Sequence, residues 1–337
     1  MASMARRVTI TDVAREAGVS VATVSKVING RDGIARTTAA HVQEVVGRLG
    51  YEQSIVARSM RSHRTHVIGV LVAEFEPFST QILTGAGAAL EGTGYALLAY
   101  TGGGPAAVGW ERRYLARLSG TLVDGAVLVT PTIEGVDDEV PVVAVDPHAG
   151  PGAMPTVDSE NHEGAVLATR HLLDLGHTRI GFLGGRPDLE SSRAREAGYR
   201  AALAAAGLHP DPAHVRSGEY RRADAVEPAR AMLSTPHPPT AVFAANDQSA
   251  LGILDAAAAL GVRVPHDLSV VGFDDIPEAA AATPPLTTVR QELQEMGARA
   301  VRLLLGVLAD PEATAEPEHV RLPTTLVVRA STAPPPA

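Results

Sequence analysis

The sequence contains no cysteine and a single tryptophan, and only 4 % of its 337 residues are aromatic. Without thiolates, the chain can form neither disulfide bonds nor cysteine-ligated zinc or iron–sulfur sites, and a cysteine nucleophile is excluded. The longest apolar runs are about eight residues, which is too short for a helix to span a bilayer. The N-terminal residues lack the apolar core of a secretion signal, so we expect a cytoplasmic protein with no membrane partner.

Lysine is nearly absent as well, because Lys26 is the one lysine among the 29 basic residues. The formal net charge of −9 is unevenly divided, with +5 on residues 1–65 and −14 on the remainder. A basic N-terminal segment followed by an acidic remainder is typical of proteins whose small basic segment binds a polyanion. On charge alone, chance clustering on a solvated surface explains the asymmetry equally well.

Motifs of common catalytic and cofactor sites are missing from the sequence. The stretch 84–90 begins like a dinucleotide fingerprint, but Leu90 stands in the place of the third glycine. No phosphate loop, no His-Glu-x-x-His and no Gly-x-Ser-x-Gly elbow occurs. We therefore predict that the protein is not an enzyme, uses no cofactor and has no metal site.

Two short helices joined by a tight turn are predicted near the N-terminus. Thr11 is the candidate N-cap of a first helix over residues 12–17, and Gly18 suits the position just beyond its end. Ser20 is the candidate N-cap of a second helix over residues 21–28. Two helices separated by so few residues have the outline of a helix-turn-helix.

The second helix has two distinct faces. Its apolar face follows the i, i+3, i+4 spacing of a helix that packs on a neighbour, with Val24, Val27 and Ile28. Its opposite face is small and polar enough to enter a DNA major groove, with Ala22, Ser25, Lys26 and Asn29. A third helix, ending at Gly50, completes a minimal core for an all-α headpiece over residues 1–52.

The rest of the chain changes from helices to alternating strands and helices. The sequence of residues 53–64 indicates a hinge or linker. It contains a short helix whose stability is too low to persist without DNA or a partner. Apolar strands are predicted at 67–73, 96–100, 126–130, 142–146, 180–184, 241–245 and 269–273. Helices lie between them, a pattern typical of parallel sheets covered on both faces. We predict an α/β domain over 65–337, made of two doubly wound parallel-sheet halves. The chain is expected to pass from one half to the other near 149–162, 283–290 and 318–325.

Polar residues lie at or just beyond several strand ends. Three of them are Asp146, Asn246 and Asp274, and Arg195 opens the helix after the strand at 180–184. Together these four side chains offer paired donors and acceptors that suit vicinal sugar hydroxyls. Ligands of open α/β sheets bind beyond the carboxyl ends of strands, so a binding site is expected there. Asp and Asn at strand ends also cap the following helix, which is the interpretation we favour for Asp247 and Asp275.

Five segments follow one another in a recognisable order. The first is VTITDVAREAGVSVATVSKVIN at 8–29, and the others are HLLDLGHTRIG at 171–181, FAANDQ at 243–248, SVVGFDD at 269–275 and PPLTTVRQ at 284–291. Together they closely resemble the lactose-repressor (LacI/GalR) family of bacterial transcription regulators, from about residue 8 to residue 329. The family fold is a helix-turn-helix headpiece followed by a periplasmic-binding-protein-like domain for effector binding and dimerisation.

The resemblance implies a homodimer that binds a near-palindromic DNA operator. Val21, Ala22 and Lys26 match positions that read bases in the major groove, and Lys26 is the main hydrogen-bonding reader. Phosphate-contacting or helix-anchoring positions are matched by Thr11, Ser20, Thr23, Ser25 and Asn29. The minor-groove positions of the hinge are matched by Ala57 and Met60. Simple packing remains the alternative for Val21 and Met60, and Gln53-Ser54 departs from the family's hinge sequence.

The resemblance also implies an effector cleft between the two halves. Its residues are Phe78, Asp146, Arg195, Tyr220, Asn246 and Asp274, with ordinary packing as the alternative for Phe78 and Tyr220. We expect a small sugar that releases a repressor from its operator. A corepressor that tightens DNA binding, and a cytoplasmic or exported sugar-binding protein without a transcriptional role, are the alternatives. The prolines after Ala333 cannot continue a coiled helix, so a dimer is expected rather than a tetramer.

Overall fold

The structure is a computed structural model that describes residues 8–28, 32–51, 64–102, 109–119, 121–135, 140–310 and 317–336. The chain divides into two compact units, residues 1–65 and residues 66–337. Three predicted DNA-binding positions, Asn29, Ala57 and Met60, lie outside the described residues, as does most of the predicted hinge. No helix within the described ranges is long and apolar enough to cross a membrane.

The first unit is built from α1 (Ile10–Glu16), α2 (Val21–Ile28) and α3 (Arg36–Leu49). Small apolar side chains from all three helices form its core: Val13, Ala14, Ala17, Val24, Val27, Val42 and Val45. The inward-facing residues predicted for the second helix are therefore confirmed, since Ile28 also packs against this core.

The N-cap of α1 is Thr9, so the prediction of Thr11 as the cap is wrong. The hydroxyl oxygen of Thr9 accepts a hydrogen bond from the amide of Asp12 at 3.3 Å, and the Asp12 carboxylate accepts one from the Thr9 amide at 3.0 Å. This reciprocal pair satisfies two amides that have no partner within the helix. Thr11 lies inside the first turn and is exposed.

The other predicted helix ends of this unit are confirmed. The hydroxyl of Ser20 accepts a hydrogen bond from the amide of Thr23 at 3.1 Å, which caps α2. Gly18 and Gly50 follow α1 and α3 with φ values of 65° and 60°, a left-handed conformation that glycine adopts without a steric penalty.

The second unit contains two six-stranded sheets. The first is formed by β1 (Val67–Val72), β2 (Ala96–Thr101), β3 (Gly125–Val129), β4 (Val142–Val145), β5 (Thr156–Ser159) and β11 (His319–Leu322). Its strands are parallel, in the order β11-β5-β4-β3-β1-β2. The second is formed by β6 (Ile180–Gly184), β7 (Val215–Ser217), β8 (Ala241–Ala244), β9 (Ser269–Asp274), β10 (Thr287–Gln291) and β12 (Thr324–Val327). Its order is β12-β10-β9-β8-β6-β7, and β12 alone of these pairs antiparallel.

Helices cover both sheets, as the apolar strands require. In the half that holds the first sheet they are α4 (Pro77–Leu90), α5 (Trp110–Leu118) and α11 (Leu293–Ala309). In the half that holds the second sheet they are α6 (Asn161–Asp174), α7 (Glu190–Ala205), α8 (Arg222–Leu233), α9 (Asp247–Leu260) and α10 (Pro277–Ala281). Every residue of β1, β3, β4, β6, β8 and β9 is buried, so the predicted fold class is confirmed.

All seven predicted strands exist, with ends that differ by at most one residue. Five short strands were not predicted, namely β5, β7, β10, β11 and β12. They carry polar residues, as in Thr156-Val-Asp-Ser159, and therefore lack the apolar run that marks a buried strand. The helices predicted between these strands are also present, and the first turns of α6 and α7 are polar.

The chain passes between the two halves at Glu160, Glu292 and Pro323. The crossings at Glu160 and Pro323 lie within the predicted ranges 149–162 and 318–325, although the stretch 149–155 itself joins β4 to β5 within one sheet. The stretch 283–290 does not cross either: it leads into and through most of β10, and the crossing follows two residues later. Proline and glycine mark the turns that lead into β5 and β10, whereas two of the crossings are single glutamates, Glu160 and Glu292, and the third is Pro323.

Candidate functional site

A cavity of about 260 Å³ lies between the two halves of the second unit, beyond the carboxyl ends of the strands. The first half contributes Phe78 and Asp146, and the second contributes Arg195, Tyr220, Asn246 and Asp274. All six residues predicted to form an effector site therefore line one cavity. Parallel strands whose carboxyl ends meet at a crevice explain why residues so distant in sequence converge.

Arg195 is a buried lining residue whose guanidinium makes several contacts. It extends from α7, is 3 % exposed, and its guanidinium lies 3.8 Å from the centre of the Phe273 ring. Its Nε donates to Asn161 at 2.9 Å, and its Nη1 donates to the carbonyl of Ala245 at 2.6 Å and to Asp274 at 3.4 Å. These contacts fix the position of a buried positive charge.

Two carboxyl groups face this guanidinium. Asp274 ends β9 and Asp146 directly follows β4, and both have left-handed backbone conformations, with φ values of 113° and 48°. Burial raises the pKa of Asp274 to about 7, although Arg195 and a 2.7 Å hydrogen bond from Gln291 oppose the rise. Burial also raises the pKa of Asp146, again against the influence of Arg195. Strained backbone at such positions is common in binding sites.

Asn246 caps a helix as well as lining the cavity. Its side-chain oxygen accepts a hydrogen bond from the Ser249 amide at 2.8 Å, and its amide donates to the carbonyl of Tyr220 at 3.1 Å. The capping role proposed for the neighbouring aspartate therefore belongs to Asn246. The second of these hydrogen bonds also holds the Tyr220 carbonyl at the cavity wall.

The ring of Tyr220 packs directly on Gly185. A Cβ atom placed on Gly185 would lie 2.2 Å from Cζ of the tyrosine ring, so only glycine leaves room for it. The Tyr220 hydroxyl is buried and has no hydrogen-bond partner among the described residues. A buried hydroxyl without a partner costs free energy, which a polar ligand in the cavity would recover.

Asp247 and Asp275 do not cap helices, so both of those predictions are wrong. Asp247 is fully buried and accepts hydrogen bonds from the Ile276 amide at 2.9 Å and the Thr288 hydroxyl at 2.6 Å. Asp275 accepts from Arg290 at 2.7 Å and Arg329 at 2.6 Å. Both carboxylates connect β-strand ends to distant segments of the same half.

Several other residues line the cavity that the sequence did not predict, among them Glu76, Trp110 and His148. Glu76 is the N-cap of α4, where its carboxylate accepts from the amides of Phe78 at 2.8 Å and Ser79 at 2.7 Å. Burial raises its pKa. The signal for Glu76 was its place beyond the apolar strand β1, just before a proline that begins a helix.

Contacts across the cleft join the two halves near this cavity. Arg221 of the second half pairs with Glu74 of the first at 2.7 Å, and both side chains are partly exposed. The carbonyl of His148 accepts a hydrogen bond from the Glu190 amide at 2.8 Å. Burial lowers the pKa of the His148 imidazole to about 4, so it is neutral at pH 7. Polar contacts therefore bridge the two halves beside the cavity.

The first unit presents a separate surface on α2. The predicted base-reading residues Val21, Ala22 and Lys26 are exposed on one side, opposite buried Val24 and Val27. Ser20 and Thr23 lie at the start of this helix, with their hydroxyl oxygens 2.9 Å apart, and Ser25 is half-buried. The exposed face is narrow and carries one positive charge, which suits entry into a major groove.

Family models match both units of the chain. Residues 9–54 match the model described as bacterial regulatory proteins, lacI family, and residues 169–332 match a periplasmic binding protein-like domain. The ribose operon repressor of Escherichia coli (strain K12) is 34 % identical over 332 residues, which cover 96 % of this chain and 99 % of that protein. The transcriptional repressor PurR of Aliivibrio salmonicida (strain LFI1238) is 34 % identical over 90 % of this chain and 92 % of its own length.

Solved structures of similar proteins have the same architecture. A complex of the transcriptional regulator CelR with cellobiose is 34 % identical, covers 96 % of this chain and 100 % of its own, and has a TM-score of 0.70. The lac repressor dimer bound to operator and the anti-inducer ONPF is 28 % identical, covers 97 % and 100 %, and has a TM-score of 0.83. These matches extend through the headpiece and both halves of the second unit.

Proposed function

Because the chain belongs to the LacI family of bacterial regulatory proteins, we propose that it is a repressor released from a palindromic operator by a small sugar. Members of this family bind DNA, respond to small molecules and regulate transcription rather than catalyse reactions. We further propose a homodimer that works in the cytoplasm, where its operator is. Two headpieces reading two half-sites account for the symmetry of such an operator.

The main support for this proposal is that six residues from both halves line one cavity. Carboxyl, guanidinium, amide and phenol groups there supply both donors and acceptors, which the hydroxyls of a sugar require. The rings of Phe78 and Tyr220 supply apolar surface for its carbon-bound hydrogens. The names of the ribose operon repressor and of the CelR–cellobiose complex support a sugar effector.

A ligand held by both halves stabilises the arrangement in which the halves are close. If that arrangement binds operator less well, the sugar lowers operator affinity and the operator lowers sugar affinity by the same factor. A ligand with the opposite preference would act as a corepressor. The sign of the response is therefore measurable from either binding reaction.

The proposed DNA contacts lie on α2 and at the starts of α1 and α2. Val21 and Ala22 make apolar contacts with thymine methyl groups, and Lys26 donates to base edges. Short hydroxyl side chains position the helix on the phosphates, a role proposed for Thr11, Ser20, Thr23 and Ser25. Asn29, Ala57 and Met60 remain in the proposal from the sequence resemblance alone.

The test is fluorescence anisotropy of labelled DNA from upstream of the protein's own gene. The expected result is tight, salt-sensitive binding that one sugar of a panel reverses. Binding that requires a small molecule would reverse the sign of regulation. Release by a purine base but by none of the sugars would refute a sugar effector. Absence of specific DNA binding in every condition would leave a sugar-binding protein as the better description.

Replacement of Lys26 separates base reading from general attraction to DNA. The Lys26→Ala variant is expected to lose at least about tenfold in operator affinity and much less in affinity for unrelated DNA. Arg48→Ala is the matched control, since it removes one exposed positive charge of the same unit, paired with Glu16 at 2.9 Å. Equal losses for both DNAs in the Lys26 variant would make Lys26 a phosphate contact.

A further inference from the structure

Each arginine that lines the cavity contacts an acidic side chain of the protein. Arg195 contacts Asp274, and the other three form ion pairs of 2.5 to 2.7 Å: Arg186–Asp188, Arg221–Glu74 and Arg222–Asp255. In two of these pairs, the aspartate lies outside the cavity lining and still cancels the charge of an arginine inside it. The cavity therefore offers no surplus of positive charge to a ligand.

Negative charge, by contrast, is in excess. Glu76 and Asp146 line the cavity without an ion-pair partner among the described residues. Each of them contributes to raising the pKa of Asp274, so the three carboxyl groups repel one another within one cavity. A further anion brought among them would add to this repulsion in a partly buried site, where water screens charge poorly.

Glu76 differs from the other two carboxyl groups in what stabilises it. Asp146 and Asp274 both face Arg195, whereas Glu76 is stabilised only by dipoles: the amides of Phe78 and Ser79 and the hydroxyl of Ser79, at 2.6 Å. Those two amides belong to the first turn of α4, where a helix would otherwise bind a phosphate group. The side chain of Glu76 already occupies that place with its own negative charge.

We propose that Glu76 makes the cavity select against anionic effectors, so that the effector is a sugar without a phosphate or carboxylate group. This inference rests on the proposed function and specifies its ligand. A neutral sugar donates hydroxyl hydrogen bonds to the surplus carboxylates. A sugar phosphate meets those same carboxylates as like charges, and it finds the helix N-terminus filled.

The test compares neutral sugars with their phosphates on the full-length protein. Ligand binding is followed by the fluorescence of Trp110, the single tryptophan of the chain, which lines the cavity. The probes are D-ribose, D-glucose and D-galactose, their 5- or 6-phosphates, and cellobiose. The wild type is expected to bind at least one neutral sugar, and to bind its phosphate at least about tenfold more weakly.

Two variants at one position separate charge from capping. Glu76→Gln removes the charge and keeps an oxygen that can accept from the α4 amides. The ratio of the dissociation constants of the sugar phosphate and the neutral sugar is expected to fall about tenfold in this variant. Glu76→Asp keeps both the charge and a good N-cap, and it is expected to retain the selectivity. A purely structural role for Glu76 would weaken binding of both ligands together and leave their ratio unchanged.

The outcomes distinguish this inference from the proposed function. Equal or tighter binding of a sugar phosphate by the wild type would overturn the inference and leave a sugar-responsive repressor in place. An unchanged ratio in a folded Glu76→Gln variant would overturn the role of Glu76. Failure of every sugar and every sugar phosphate to bind would refute the sugar effector, and the inference with it.

Discussion

Asp274 should make the stability of the second unit depend on pH, and Asp274→Asn should remove that dependence. The carboxyl group is 4 % exposed, and its pKa is raised to about 7 from an ordinary value of 3.8. Asparagine is nearly the same shape and can still accept the hydrogen bond from Gln291, but it cannot ionise. The comparison therefore isolates the cost of the charge.

The sign follows from the two pKa values. Below about pH 4 the carboxyl group is protonated in both the folded and the unfolded chain, and it costs nothing. Between about pH 4 and 7 folding requires uptake of a proton, so the free energy of unfolding falls as the pH rises. Above about pH 7 the full cost is present, and three pKa units correspond to about 4 kcal/mol. Between pH 4 and pH 8, the free energy of unfolding of the variant should therefore rise by up to about 4 kcal/mol relative to that of the wild type.

Urea unfolding followed by Trp110 fluorescence at several pH values measures this difference. Trp110 lies in the same unit as Asp274, so its signal reports on the relevant transition. Asp267→Asn is a control of opposite sign, because Arg263 lowers the pKa of Asp267 and its loss should destabilise the protein more at pH 7 than in acid. A stability difference for Asp274→Asn that is the same at pH 5 and pH 8 would show that its folded-state pKa is not raised.

Two further substitutions test the cavity wall and the headpiece. Gly185→Ala should weaken sugar binding at least about tenfold, because the new Cβ displaces the ring of Tyr220. The control is Gly87→Ala, whose new Cβ has no atom within 4 Å and which should leave sugar binding unchanged in the same fluorescence titration. Thr9→Ala should destabilise the first unit by about 1 kcal/mol because the α1 cap is lost, and amide exchange in α1 should become about fivefold faster. An unchanged exchange rate would show that the hydrogen bonds between Thr9 and Asp12 do not stabilise the unit.

Local patterns predicted most of the architecture. A strand buried on both faces must be apolar throughout, so β1, β3, β4, β6, β8 and β9 were visible as runs in the sequence. Edge or polar strands such as β7 and β12 have no such requirement and were missed. Gly18 and Gly50 were recognised because a left-handed residue after a helix favours glycine for reasons that lie within the chain itself.

Part of the cavity was predicted because strand-end position is also a local property, whereas Phe78 and Tyr220 were expected only from the family resemblance. Asp146, Asn246 and Asp274 each follow an apolar strand, and parallel sheets bring such ends to one crevice. Glu76 and His148 escaped notice, because they lie several residues beyond a strand or within a loop. Only the folded chain brings them to the same cavity.

The sequence by itself determined the headpiece, the α/β class and the family, because these depend on periodicity, on apolar runs and on motifs contained in short segments. Only the tertiary structure decided which polar group has which task. Asn246 and Asp247 are neighbours of similar capping ability, yet one caps α9 and the other is buried against Ile276 and Thr288. The surplus negative charge of the cavity likewise depends on which carboxylate meets which arginine. Such pairing is a matter of distance in space, to which spacing along the chain gives no guide.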